Sequence, residues 1–359
     1  MFSGSILDLE EFQTRYWRRL GVALGQINID QLTDLDSTRL YELAQLEEVE
    51  SRVIASTTDG YDLTLGPFEA GGLGTGQMLM VQNLDSFVPE VSAWLSQSFG
   101  FLPRWRIEDV MATLANEGGN CGPHFDQYDV FLVQVRGTKH WSIDAGGHGA
   151  EDLDENAEIR LLSRFSAMEQ ILQQPGDVLY IPPGVGHHGI ASDDSLTLSV
   201  GIRNPLLTEM ASYLADLLLL TNADPMSLND HLTGNQIEAD EVAKLGQQLS
   251  GALTSPALIS AWYGTYMTEP RDPELLAYDE VPEDLESWLA ERDQLTLQLP
   301  ARIAIQDSTL FINGESVQIS EQPEWLIDLQ QHREVQTTRV LPAHYAIVEA
   351  LIHSGGVLA

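Results

Sequence analysis

The sequence predicts a mainly β core carrying helices, followed by a helical segment and a smaller mixed α/β unit. Three observations predict this. Between residues 109 and 202, short stretches rich in branched and aromatic side chains are punctuated by Gly and Pro, the pattern of a sandwich or barrel. From 206 onward apolar residues recur at helical spacing. Beyond 300, short alternating stretches give way to further helical ones. A chain of 359 residues, 43% of them hydrophobic, is long enough for two or three domains. Their boundaries are expected at 1–205, 206–267 and 268–359.

In chain order, Leu7 to Leu20 carries a helix-like pattern ending in Arg18 and Arg19, whose charges complement the negative end of a helix dipole. Residues 52–65 (RVIASTTDGYDLTL) read as two short strands around the Asp59-Gly60 turn. From Asp85 to Phe99, the residues Phe87, Val91, Trp94, Leu95 and Phe99 mark a helix. Strands are expected at 109–115, 129–135, 139–143, 177–181 and 195–202. The insertion 144–170 is acidic, then helical, and is expected outside the barrel. Residues 206–222 place Leu206, Met210, Tyr213, Leu214, Leu217 and Leu218 along one helical stripe. Helices continue to about Tyr266, and the Pro- and acid-rich stretch 268–286 reads as a linker. Residues 300–319 read as paired strands with Asn313-Gly314 as the hairpin turn, and helices at 323–331 and 342–353 follow. Strand pairs beside short helices resemble a winged-helix unit.

Charge excludes several function classes. With 18 basic against 54 acidic side chains, the net charge of −36 argues against general attraction to nucleic acid or anionic membranes. It permits a basic protein partner, although from charge alone a solubility adaptation is the favoured reading. No apolar run approaches the ~20 residues of a membrane span. The N-terminal MFSGSILDLEEF lacks a charged region followed by an apolar one, so a cytoplasmic protein is expected. A single cysteine, Cys121, excludes an intramolecular disulfide and a cysteine-rich zinc site. Lysine is scarce, with only Lys139 and Lys244 in the chain.

The sharpest feature is GPHFDQYDVFLVQVRGTKHW, residues 122–141. His124 and Asp126 are two apart, so on an extended strand both face one side. A third ligand is supplied by QPGDVLYIPPGVGHHG, residues 174–189, where a strand enters the Pro182-Pro183-Gly184 turn and a histidine emerges beyond it. Two histidines and one carboxylate with open positions are the set used by non-haem Fe(II) oxygenases. Either His187 or His188 serves, but one residue along a strand reverses direction, so only one points inward. Chance explains an isolated H-x-D or a lone histidine; the order of strand, turn and histidine in one β-rich block favours a metal centre. Lys139, one of two lysines, can pair with the distal carboxylate of 2-oxoglutarate. Cys121, His140 and His148 are given no role.

Together the triad, the lysine and the PPG-x-x-H turn resemble the JmjC-type 2-oxoglutarate oxygenases, with their cupin-like double-stranded β-helix. GPFE at 66–69, LPRWRIEDVM at 102–111, GPHFDQYDVF at 122–131, GDVLYIPPG at 176–184 and SVGIRNP at 199–205 resemble the bacterial ribosomal oxygenases in particular. The resemblance runs from about residue 8 to 205 and more loosely beyond. It implies His124, Asp126 and His187 as iron ligands, preferring His187 over His188. It implies Lys139 and Thr113 as 2-oxoglutarate-binding, with Thr197 and Ser199 lining the site. Where that branch often keeps an arginine, this chain has Lys139, which loses the planar bidentate fork. Further implications are Fe(II), 2-oxoglutarate and O₂ as cofactor and co-substrates, and hydroxylation of an arginine of large-subunit ribosomal protein sixteen. A homodimer through the helices after 205 is implied as well. The C-terminal unit, poor in cations, is expected to be structural or to recognise protein rather than nucleic acid. Competing readings are a ribosomal histidine hydroxylase, an N-methyl-lysine demethylase or small-molecule oxygenase, and a non-catalytic cupin-like metal-binding module.

Overall fold

The computed structural model describes residues 9–58, 60–69, 71–220 and 239–358, without the side chains of 217–220 and 252. The chain forms two compact units, one of residues 1–204 with 331–333 and one of residues 205–330 with 334–359.

Eleven strands build the first unit: β1 (Val22–Gln26), β2 (Ser51–Thr57), β3 (Gly60–Leu65), β4 (Gln77–Val81), β5 (Ile107–Ala115), β6 (Asp129–Arg136), β7 (Lys139–Asp144), β8 (Glu169–Gln173), β9 (Asp177–Ile181), β10 (Gly186–Ala191) and β11 (Ser195–Ile202). An antiparallel eight-stranded sheet runs β1-β9-β6-β11-β5-β4-β2-β3, and a three-stranded sheet runs β10-β7-β8. This is the double-stranded β-helix expected from the sequence.

Period-two alternation decides what each face of the large sheet does. On β11, Leu196, Leu198, Val200 and Ile202 turn outward into the main hydrophobic cluster. That cluster also takes Val110, Ala112 and Leu114 of β5 and Phe131 and Val133 of β6. The helix Pro89–Ser98 covers it, contributing Val91, Trp94 and Leu95, all 1% exposed or less. Each such side chain stabilises the fold by about 1.5–3 kcal/mol through burial. The alternate residues, Thr197 and Ser199 of β11 with Met111 and Thr113 of β5, face the barrel interior and line a cavity there. Thr197 stands opposite Thr113 and Ser199 opposite Met111.

Tyr180 of β9 fastens the N-terminal segment to this sheet. Its hydroxyl donates to the fully buried Asp129 carboxylate and accepts from the Arg18 backbone N–H at 2.8 Å. Arg18 Nε adds a contact to Asp129 at 3.2 Å. Burial raises the Asp129 carboxyl above its ordinary range, with Tyr180 and Arg18 opposing.

The second unit holds helices Leu207–Leu220, Ala239–Leu253 and Pro256–Thr268, then β12 (Gln294–Thr296), β13 (Ile303–Gln306), β14 (Thr309–Ile312), β15 (Glu315–Gln318) and β16 (Glu334–Gln336) among shorter helices. β12 pairs with β16, and β13-β14-β15 forms a meander. Helices Leu285–Ala290, Glu324–His332 and Tyr345–His353 close one hydrophobic cluster around Trp325, Leu326, Leu329 and Leu351.

Several expectations need correction. The insertion 144–170 contains no α-helix. A 3-10 turn at Ala150–Asp152 and irregular chain precede β8, and Glu158, Ile159 and Arg160 line the barrel cavity rather than lying clear of it. His124 occupies only an isolated bridge before β6, not a regular strand. Leu7, where the N-terminal helix is expected to start, lies outside the described residues; among the described ones the α-helix Leu9–Glu11 passes into a π-turn over Phe12–Tyr16 and does not continue to Leu20. The stretch 268–286 is no free linker, because Leu276 and Leu285 are buried in the second unit's core. Residues 300–319 hold three strands, since the left-handed Asp307 opens a second turn besides the expected one at Asn313-Gly314. Strands β1, β4, β8, β10, β12 and β16 are not among those expected. Asp59 of the first turn lies outside the described residues, and so do the side chains of Leu217 and Leu218. Leu214, of the same stripe, is buried.

Tyr180→Phe leaves the buried Asp129 carboxylate without one donor, at an expected cost of about 1–3 kcal/mol. A lowered urea midpoint at unchanged slope checks this.

Candidate metal centre

The centre is assembled by backbone pairing. His124 and His187 exchange both main-chain hydrogen bonds, His124 N to His187 O at 3.0 Å and His187 N to His124 O at 2.8 Å. Residues directly opposite across an antiparallel bridge point to the same face, and the two imidazole centroids lie 4.2 Å apart. Two residues on, Gly184 N donates to Asp126 O at 2.8 Å. Gly184 has φ +76°, which a glycine adopts without strain, and this lets the Pro182-Pro183-Gly184 turn reach Asp126. Asp126 Oδ2 then lies 3.6 Å from His187 Nε2.

His124, Asp126 and His187 therefore offer three ligand atoms within 4.8 Å of one another, the only such group among the described residues. His124 Nδ1 lies 3.0 Å from Gly122 O and His187 Nδ1 3.1 Å from Val185 O. A carbonyl only accepts, so each Nδ1 carries a proton and each Nε2 is left for a metal. Burial, and then the neighbouring His124, push the His187 imidazole down to about 4, so it is neutral at physiological pH. Against burial, Cys121 and Asp126 raise the His124 imidazole to about 10, so a metal would displace its Nε2 proton; two imidazoles, one carboxylate and open space beside them fit a divalent iron-type ion. His188 points the other way, its Nε2 3.0 Å from Asn120 Oδ1.

A cavity of about 350 Å³ opens beside the triad. Lys139, Thr113, Thr197 and Ser199 all line it together with the triad, whereas His188 does not. Lys139 is 3% exposed and has no carboxylate partner among the described residues. Burial lowers its ammonium to about 8, which leaves it mostly charged at neutral pH. A buried cation with no carboxylate beside it is costly, the neighbouring Cys121 offsetting only part of the burial, and an anionic ligand in the cavity would relieve that cost. The Thr197 hydroxyl donates to Gln134 Oε1 at 2.9 Å and is already engaged.

Sequence reasoning missed Trp141, Arg52, Tyr128, Met78, Met80 and Met111, which also line the cavity. Cys121 lines it too, with its sulfur 3.7 Å from His124 Nδ1. The strand positions carried a signal for Met111, two residues before Thr113 on the same face. Met78 and Met80 gave none, because QMLMV is apolar at nearly every position. His148 packs against Asp144 and Asp152, outside the triad.

His187→Ala is expected to weaken Mn(II) binding by about a hundredfold or more, the loss of a ligand exceeding that of an outer partner. His188→Ala is expected to leave it within about threefold. Isothermal titration of both variants checks the assignment.

The comparisons with known proteins agree with this geometry. Residues 94–210 match the JmjC domain and residues 245–355 the ROXA-like winged helix. The chain is 27% identical over 366 residues to the ribosomal protein uL16 3-hydroxylase of Escherichia coli K12, covering 97% of each. It is 31% identical over 207 residues to a probable ribosomal oxygenase of Haemophilus influenzae, covering 56% of this chain and 51% of that one. Among solved structures, E. coli YcfD superposes with a TM-score of 0.84 at 25% identity over the full length of both chains. YcfD in complex with cobalt and 2-oxoglutarate gives a TM-score of 0.84 at 26% identity, covering 99% of this chain and 98% of that one. Residues 94–210 thus form a JmjC domain around a His-Asp-His triad, with a winged helix behind it in sequence, and over its whole length the chain is similar to the bacterial ribosomal oxygenases.

Proposed function

We propose that this oxygenase hydroxylates an arginine of large-subunit ribosomal protein sixteen. The observation that carries the reading is the triad beside a cavity whose buried lysine has no carboxylate partner among the described residues, in a chain alike over its whole length to a uL16 3-hydroxylase. Bound Fe(II), with 2-oxoglutarate and O₂, supplies the oxidation of an unactivated C–H to C–OH. His124, Asp126 and His187 would hold the iron. Lys139 receives the distal carboxylate of 2-oxoglutarate, and the hydroxyls of Thr113 and Ser199 are available to the same ligand. Apolar walls from Leu132, Val130 and Trp141 exclude water and keep the cation's field unscreened.

The acidic chain, at −36, suits a cationic ribosomal protein by steering the encounter. A ribosomal substrate implies a cytoplasmic place of action. No described helix is long and apolar enough to cross a membrane. The second unit, poor in cations, serves protein recognition rather than nucleic-acid binding in this reading. The helix Ala239–Leu253 leaves Val242 and Leu249 more than half exposed, which supports a homodimer through these helices.

Incubation with Fe(II), 2-oxoglutarate and a peptide of the target protein is expected to yield succinate and a +16 Da shift on one arginine. Replacing both His124 and Asp126 by Ala is expected to abolish both products; unchanged turnover would overturn the reading. A +16 Da shift on histidine instead moves the assignment to a histidine hydroxylase. Sedimentation is expected to show a dimer at micromolar concentration, and a monomer there would reject the interface.

A further inference from the structure

Trp141 touches both halves of the site. It lies two residues after Lys139 on β7, so the two side chains share the inner face of that strand. The Lys139 ammonium sits 4.9 Å from the indole centroid. On another side the same ring lies 5.9 Å, centroid to centroid, from the His187 imidazole.

The ring itself is tightly held. Its Nε1–H donates to Gln173 Oε1 at 2.7 Å, and Gln173, 1% exposed, donates to Leu132 O at 3.0 Å and Asp177 O at 3.2 Å. Gly189 is its cross-strand partner on β10. A Cβ at Gly189 would stand 2.6–2.8 Å from Cζ3, Cη2 and Cε3, so only glycine lets the six-membered ring lie against that backbone. A lysine is a point charge on a flexible stem, unlike the rigid fork of arginine. Something outside the side chain must therefore aim it. The π face of a desolvated indole does so by attracting the cation.

We propose that Trp141 is a positioning residue, a platform that holds the Lys139 ammonium where it meets the distal carboxylate of 2-oxoglutarate, with Gln173 and Gly189 fixing the plane of the indole. The proposal rests on the reading of Lys139 as the cation for that carboxylate. It accounts for how a lysine does the work of a bidentate arginine: the second constraint comes from the ring beneath it.

The test is 2-oxoglutarate binding to the Mn(II)-loaded protein by calorimetry, without turnover, in the wild type, Lys139→Ala, Trp141→Leu, Trp141→Phe and Gln173→Leu. Trp141→Leu is expected to weaken binding about ten- to thirtyfold, the size of a desolvated cation–π contact. Trp141→Phe keeps a π face and is expected to recover most of that loss. Gln173→Leu, which frees the ring without removing it, is expected to weaken binding by about threefold or more. Mn(II) affinity is expected to stay unchanged in all of them. In turnover of Trp141→Leu and Gln173→Leu, KM for 2-oxoglutarate is expected to rise by a larger factor than kcat at saturation falls. Wild-type affinity in Trp141→Leu alongside weak binding in Lys139→Ala overturns the platform alone. Wild-type affinity in Lys139→Ala overturns the underlying reading of the lysine. Should circular dichroism show Trp141→Leu unfolded, unchanged affinity in Gln173→Leu overturns the proposal by itself.

Discussion

The double backbone bridge between His124 and His187 is the constraint on which the centre depends. The two histidines come from chain segments separated by the whole of β6 to β9, and neither segment alone presents a metal site. Once each N–H meets the other's carbonyl, antiparallel geometry sends both imidazoles to one face with no further adjustment. The turn at Gly184 repeats this with the Asp126 carbonyl, so all three ligands are positioned by main-chain hydrogen bonds. Each such bond contributes only about 0.5–1.5 kcal/mol net. Their value to the site is orientation, since the Gly122 and Val185 carbonyls then fix the tautomer of each ring.

Much of the site was legible because its chemistry is concentrated in short motifs. His124 and Asp126 are read together from H-x-D, and the proline turn marks where the third ligand re-enters the barrel. His187 and His188 stayed a pair of alternatives on sequence physics, since adjacent residues differ only in direction. The pairing of β10 with β7 resolves them, sending His188 toward Asn120. Thr197 lines the cavity, yet its hydroxyl is spent on Gln134. No sequence pattern records which of two facing polar groups satisfies the other.

The fold was legible where branched residues are dense and obscure where they are not. β6 and β11 announce themselves, while GHHGIA of β10 and QMLMV of β4 carry few β-formers. The opposite error occurred at 144–170, whose alanines, leucines and glutamates suit a helix. There, tertiary bonds override propensity. Asp144 accepts from Gly146 N and Ser166 N, Leu162 N donates to Pro123 O, and His148 N donates to Gly184 O.

Those last bonds give the loop a second significance. Pro123 and Gly184 are the immediate neighbours of the metal-holding chain: one precedes His124, and the other is hydrogen-bonded to Asp126. The loop is thus tied by its backbone to the ligands and by its side chains, Glu158 to Arg160, to the wall of the cavity. Wall and centre are mechanically one piece. The shape of the cavity beside Ile159 and the spacing of His124, Asp126 and His187 are therefore set together by one connected run of main-chain hydrogen bonds.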